Sequence, residues 1–265
     1  MPKNYSNNRL MRAFLIFTVI LVFNVNTFAQ PNVNKTDSEG RKTGKWLDYH
    51  ANGKKRYEGT FRDGYEIGTF RFYNGLGQMV SELLYSQKGT YAEAKIFYNN
   101  GVVKAEGRFH NRKKDGVWKY YSRNPHILMK EESYKDGAKD GRWRIYYTHG
   151  QLSSEVIWKN GKREGSWKEF YENGEPKIEA FFKNGKMDGD YTQYAIGRIV
   201  VKEGTYVNGN MDGIWFTYNE KGELIKKQRY TNGFLQQEAF FENGKLIRLK
   251  NHTLTKFNDG FENAE

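Results

Sequence analysis

Carboxylates are the residues in this sequence whose spacing most invites a chemical reading. Glu58, Glu82, Glu106, Glu155, Glu179 and Glu203 recur at fixed places, with Glu131 one residue out of step and Lys227 standing where the next would fall. Paired carboxylates do general acid–base work when their surroundings push their pKa values apart. Here a Lys or Arg is expected opposite each Glu, which would hold it ionised rather than poised. The five histidines, His50, His110, His126, His149 and His252, share no spacing, so a metal or proton-relay site built from them would rest on coincidence. Asp-Gly and Asn-Gly pairs abound, but neither the EF-hand loop nor the calcium-binding nonapeptide occurs. Gly40 to Trp46 resembles a phosphate loop one residue short, with Trp46 where Ser or Thr must hold the metal. There is no Gly-x-Ser-x-Gly elbow and no Cys. No catalytic residue, cofactor or metal is expected, and the chain reads as a non-enzyme.

What recurs instead is architecture. Taking Trp167 as an anchor, the same position is held by Trp46, Phe70, Ala94, Trp118, Trp143, Tyr191 and Trp215, at spacings of 24, 24, 24, 25, 24, 24 and 24 along the chain. Columns counted from the anchor are regular. Column −2 is Gly except at Ala92. Column +3 is aromatic (Tyr49, Tyr73, Phe97, Tyr121, Tyr146, Phe170, Tyr194, Tyr218), column +12 is the carboxylate, and column +15 is aromatic again, as in Phe61, Tyr85, Phe182 and Tyr206. Two gaps carry turn chemistry: Asn52-Gly53, Asn100-Gly101 and Asn173-Gly174 in the first, Asp63-Gly64, Asp136-Gly137 and Asn160-Gly161 in the second.

These gaps predict one β-hairpin per unit, with Asn-Gly of the first gap as a two-residue turn. Column numbers that sum to thirteen then face each other. That sets Arg71 against Glu82, Lys95 against Glu106, Arg144 against Glu155 and Lys168 against Glu179, each pair worth ~0.2–1 kcal/mol where exposed. It also places Trp46 across from Gly59, Trp167 from Ala180 and Tyr191 from Gly204. Strand alternation sends the anchor and the +3 aromatic to opposite faces, unless a bulge brings both to one. The expected fold is all-β, an elongated single antiparallel sheet of eight tandem 24-residue hairpins. Because a lone hairpin is marginal, neighbours must cover one another's rings.

The order Gly-x-Trp-x-x-Tyr, Asn-Gly, Glu-x-x-Tyr, Asn-Gly resembles the MORN-repeat variant family over roughly residues 40 to 248. The resemblance implies hairpins aligned in one long sheet. Related arrays serve as membrane-contact modules, protein scaffolds and, in some bacteria, antitoxins. Ala94, Pro125 in the one unit that is longer, and an early Gly197 depart from the pattern.

The ends differ from the array. Lys3, Arg9 and Arg12 precede the apolar run Ala13 to Phe23, and Thr27-Phe28-Ala29 supplies small residues for cleavage, so residues 1–29 read as a secretory signal peptide. Residues 30–42 read as a flexible lead-in, 43–248 as the array with a partial cap, and 249–265 as a tail. Formal charge is +12, and removing three cations with the signal leaves 12 − 3 = +9. A periplasmic or secreted cation suits an unknown protein partner, an envelope component, a glycan or an anionic lipid surface, and not nucleic acid. The expected function is a non-catalytic scaffold for protein–protein or envelope interaction. The alternatives are a cell-wall or carbohydrate-binding module, with Trp118, Trp143, Trp167 and Trp215 stacking on sugars, or an antitoxin or immunity protein. The structural columns are Trp46 and those four tryptophans with the six aligned glutamates; Arg144 and Lys168 mark a possible binding face.

Overall fold

The computed structural model describes residues 32–256, with side chains described through His252. The expected signal peptide lies outside the described residues. The described chain is a single antiparallel sheet of 21 strands without a helix. Strands pair in chain order from Lys35–Thr36 to Lys245–Lys256, except that Ala138–Lys139 and Gly141–Tyr146 both pair with Leu128–Lys135, and Lys186–Met187 and Gly189–Ala195 both pair with Pro176–Lys183. Among the described residues no register joins the first strands to the last, so the sheet is open.

The hairpin register follows the rule that columns sum to thirteen. Arg71 faces Glu82, Lys95 faces Glu106, Arg144 faces Glu155 and Lys168 faces Glu179. Trp46 faces Gly59, Trp167 faces Ala180 and Tyr191 faces Gly204.

The turns achieve this by a different route from the expected one. Gly53 is left-handed at φ 79° while Asn52 is not, and Gly53 N–H donates to the His50 carbonyl at 2.9 Å. The first gap is therefore a three-residue loop closed by a glycine bulge. A register shift at column +3, between Asp48 and Tyr49 or between Glu169 and Phe170, then absorbs the odd residue and restores the count. The two-residue turns lie in the second gap instead. Asp63 and Gly64, at 51° and 83°, and Asn160 and Gly161, at 50° and 79°, have the paired positive angles of a type I′ turn.

Column −2 explains itself at its exception. Gly68, Gly116 and Gly213 have φ of 64° to 70°, and the ladder to the preceding strand shifts beside each of them. Ala92 takes no positive φ, and there the ladder Met79–Ser86 against Tyr91–Phe97 runs without a shift. A side chain resists the left-handed conformation, so the unit without Gly loses the bulge.

Two stretches differ from the sequence reading at the ends. Part of the lead-in is ordered: Lys35–Thr36 pairs with Lys42–Thr43, and Asp37 accepts backbone N–H bonds from Glu39 and Arg41 at 3.0 Å each. The last strand, Lys245–Lys256, also runs past Leu249 into the expected tail.

The core lies on the face that holds the anchors and the +15 aromatics. Phe61, Phe70 and Tyr85 meet edge to face at 5.2 Å between centroids, and Tyr206 meets Trp215 at 5.0 Å. Column −4, paired directly with column +15, roofs this ladder. It is Lys114, Lys139 and Arg163 in the middle and Met187, Met211 and Leu235 further on.

Candidate functional site

On the aromatic face, ring and floor are matched across the boundary between units. A Cβ at Gly59 would lie 2.3 Å from the Phe70 ring, one at Gly107 2.5 Å from Trp118, and one at Gly204 2.2 Å from Trp215. The small residue of column +13 therefore seats the anchor of the next unit, as well as pairing with its own. Those three rings are 3%, 2% and 1% exposed. Where the floor is larger, as at Val156 before Trp167, the ring is only partly buried. Leu83 stands where a floor glycine would, and the following anchor is Ala94: the pair keeps its volume with the sizes exchanged. Trp118, Trp143 and Trp215 also donate their indole N–H to a carbonyl ten residues earlier, at 3.0, 3.0 and 3.2 Å. Trp46 donates to the Lys35 carbonyl at 3.1 Å. Trp118 and Trp215 present no ring to a sugar.

One floor position carries charge. The longer unit shifts the columns by one, so Glu131 takes the carboxylate place and Glu132 pairs with Trp118, at 4% exposure. Burial pushes the Glu132 carboxyl up, but Lys130 at 2.5 Å and the hydroxyls of Tyr134 and Tyr120 outweigh it and leave the pKa lowered. Burial and the Glu132 carboxylate push Tyr134 up to about 12 and Tyr120 further. Burial lowers the Lys114 pKa, and Lys114 lies 4.7 Å over Trp118 and 2.5 Å from the Tyr120 hydroxyl. Glu132, Lys130, Lys114, Tyr120 and Tyr134 thus partner one another within the sheet. The extra residue in that unit is what the sequence offered as a signal for Glu132.

The opposite face carries the aligned glutamates and the +3 aromatics, so alternation prevails and the +3 bulge does not turn these rings round. Its bonds run between units. Tyr73 donates to Glu58 at 2.8 Å, Tyr121 to Glu106 at 2.6 Å, Tyr146 to Glu131 at 2.8 Å, Tyr194 to Glu179 at 3.1 Å and Tyr218 to Glu203 at 2.6 Å. Where column +3 is Phe97 or Phe170 no hydroxyl is available, and an arginine holds the Glu: Arg71 to Glu82 at 2.8 Å and Arg144 to Glu155 at 2.7 Å. Sequence reasoning missed this link, although the exchange of Tyr for Phe in step with Arg was visible. Arg144 also reaches Glu131 at 3.5 Å, and Lys168 reaches Glu179 at 3.1 Å. Both side chains are thus on the carboxylate face, away from the tryptophans, and each is engaged with a glutamate. Lys95 and Glu106 face each other in register without an ion pair among the described residues. Lys55 and Tyr73 hold Glu58 below the usual carboxylate range. Burial first, then the carboxylates, raises Tyr121 and Tyr218 to about 12 each.

Between these rows the face is open. Leu84, Val117 and Phe181 are 53%, 51% and 49% exposed. Leu84 and Val117 border a shallow depression of about 330 Å³ with Glu82, Glu93, Lys95 and Lys119. The histidines serve the fold: His50, His126 and His149 each contact a backbone carbonyl 23 residues away. Among the described residues no group of three His, Asp or Glu could hold a metal.

No curated protein matches the chain. Solved structures align only loosely. A TarM mutant from S. aureus in complex with fondaparinux, α-GlcNAc-glycerol and UDP is 11% identical over 55% of this chain and 19% of its own, at TM-score 0.17. A TcdB2–TccC3–Cdc42 structure is 12% identical over 83% of this chain and 15% of its own, at 0.19. A porin-like protein from Bacteroides uniformis is 6% identical over 79% and 95%, at 0.17. The chain spans a fifth or less of the first two, and at these scores none bears on fold or function. The family model described as "MORN repeat variant" matches residues 42–63, 91–111, 139–160, 163–184 and 211–232. Five matches spread along one sheet of like-columned hairpins show that this chain carries repeats of the MORN variant type.

Proposed function

We propose that this array is an exported, non-catalytic scaffold that binds a protein partner or another envelope component through its carboxylate face. One observation carries the reading: the aromatic face holds the buried rings Phe70, Trp118 and Trp215, while the opposite face holds a regular lattice of Tyr, Glu and Arg around exposed Leu84, Val117 and Phe181. Exposed apolar side chains set in a rigid polar frame suit protein recognition. Export rests on the order of charged, apolar and small residues in 1–29.

Pull-down from envelope extracts with residues 30–265, followed by identification and reconstitution of the purified partner, tests the scaffold. Leu84→Asp with Val117→Asp should abolish capture and leave the melting curve in place. Capture that survives both changes overturns the choice of face. Recovery of the chain from the cytoplasm with Met1 intact overturns export.

A further inference from the structure

One long margin of the sheet is formed by the second-gap turns, and in the middle of the array it is lined with lysine. Lys113, Lys135, Lys159, Lys162, Lys183 and Lys186 flank successive turns, and all are exposed. Two pairs oppose like charges: Lys159 faces Lys162 and Lys183 faces Lys186 across a two-residue turn. Like charges directly opposite destabilise a hairpin. Nothing in the turn requires them, because the same places are Arg62 and Tyr65, Val207 and Asn210, and Thr231 and Phe234 elsewhere in this chain. Among the described residues these six lysines make no ion pair. Asp140, Glu164 and Asp188 lie on the same margin, but each accepts the backbone N–H of the next turn, at 3.0, 2.7 and 2.9 Å.

The margin is also stiff. Gly161 N–H donates to the Lys139 carbonyl at 2.8 Å, Gly185 N–H to Arg163 at 2.9 Å and Gly209 N–H to Met187 at 2.7 Å, so each turn is hydrogen-bonded to the preceding unit. Lysines one unit apart are then held two strands apart, roughly 9–10 Å. A row of cations without ion-pair partners, outnumbering the carboxylates Asp136, Asp140, Glu164 and Asp188 on the same margin, fits a linear polyanion better than a globular partner, since every unit meets the same ligand chemistry and little order must be imposed on binding. We infer that this lysine margin binds a linear carboxylated polysaccharide. The inference rests on the scaffold reading above and uses a different surface. Of the rings beside these turns Phe109, Tyr134, Trp158 and Phe182 are partly or fully buried and Phe181 is exposed, too sparse a set to stack successive bases, which disfavours single-stranded nucleic acid.

Polygalacturonate is the probe, with neutral dextran and a DNA oligonucleotide as comparators, titrated at several salt concentrations against residues 30–265. The test variant is Lys159→Gln, Lys162→Gln, Lys183→Gln and Lys186→Gln together. A control removes four cations from the other margin: Lys104→Gln, Arg123→Gln, Arg198→Gln and Lys221→Gln. The wild type should bind polygalacturonate with marked salt dependence and ignore dextran. The test variant should bind about tenfold or more weakly with a shallower salt slope, as lost counterion release requires, while the control stays near wild type. The test variant should melt no lower than wild type, since the removed charges repel. Equal loss in the control, a fall in Tm that tracks the lost binding, or tighter binding of DNA overturns the inference. An array that captures a protein through Leu84 and Val117 but ignores polygalacturonate refutes this inference alone; one that does neither refutes both.

Discussion

The middle and the C-terminal part of the array solve the same problem with different atoms. Between Phe109 and Phe182 the ring ladder is roofed by cations. Lys139 lies 4.4 and 4.3 Å over Trp143 and Trp158, and Arg163 lies 5.7 and 5.2 Å over Trp158 and Phe182. Between Ile178 and Leu235 the roof is Met211 and Leu235, at 5% and 7% exposure, with Met187 beside them, and the result is one continuous apolar cluster. The apolar cluster that reaches into the middle is smaller: Ala94, Ala105 and Trp118, with Phe109 and Tyr134 packed against it. In the middle Trp158 Nε1 is buried without a partner, and Glu132 occupies a floor position that is Ala180 or Gly204 further on. A single-layer sheet can thus cover its rings by alkyl stems under charged heads or by thioether and leucine. Both bury a ring almost completely, as at Trp118 and Trp215, but the first does so beneath a charged head.

The largest effect should come from emptying an anchor. Trp215→Ala and Trp118→Ala should each lower stability by about 3–5 kcal/mol, while Trp167→Ala, over Val156, should fall below that range. Chemical denaturation of the three variants measures the order, and an equal loss at Trp167 would show that floor size does not set burial.

Overpacking comes next. Ala94→Trp should destabilise by about 1–3 kcal/mol, and adding Leu83→Gly should recover much of it, because the double change rebuilds the Gly107–Trp118 arrangement. Additive losses in the double variant would break the size-exchange account.

Exchanging roofs probes the contrast itself. Met211→Lys should destabilise by roughly 1 kcal/mol, because the lysine stem replaces buried thioether packing and regains part of it through the ring face. Stability unchanged within error would make the two roofs equivalent.

The smallest effects are those of pH, and they separate the two regions. Glu132 is held below its ordinary value of 4.5, so its contribution is present above that value and is lost as pH falls through the lowered pKa. The middle should therefore loosen first in acid, and Glu132→Gln should abolish that pH dependence; amide exchange resolved along the chain reads it. Tyr134, Tyr121 and Tyr218 favour the neutral phenol when folded, so stability is complete below the ordinary 10.0 and declines as pH rises through about 12. Tyrosinate absorbance that tracks a free phenol would refute the Tyr–Glu bonds.

Most of the fold was legible because repeats vote: eight copies of one column cancel local accident, and that was enough to place Lys168 against Glu179 and Trp46 against Gly59. The turn types were misplaced because Asn-Gly serves both a two-residue turn and the glycine bulge of a longer loop, and dipeptides do not say which. The contacts between units were harder to see. Tyr73 to Glu58 and Gly59 beneath Phe70 link consecutive units, and a reading made column by column inside one unit does not reach across the boundary. Glu132 was hidden by a single inserted residue.

The fit of each floor to the following ring also constrains how such a chain can be inherited. A duplicated segment that begins at Trp118 and ends before Trp143 would carry Glu132 to its new junction, together with the Lys130 and Tyr134 that make the charge tolerable there. A segment running from Ala94 to Val117 brings Gly107 to its end and can be followed by any unit that starts with a large ring. The freely copied module is therefore bounded by the glycine floor, and arrays of this kind should lengthen by descent where glycine precedes tryptophan and stay fixed in length where Leu83 precedes Ala94.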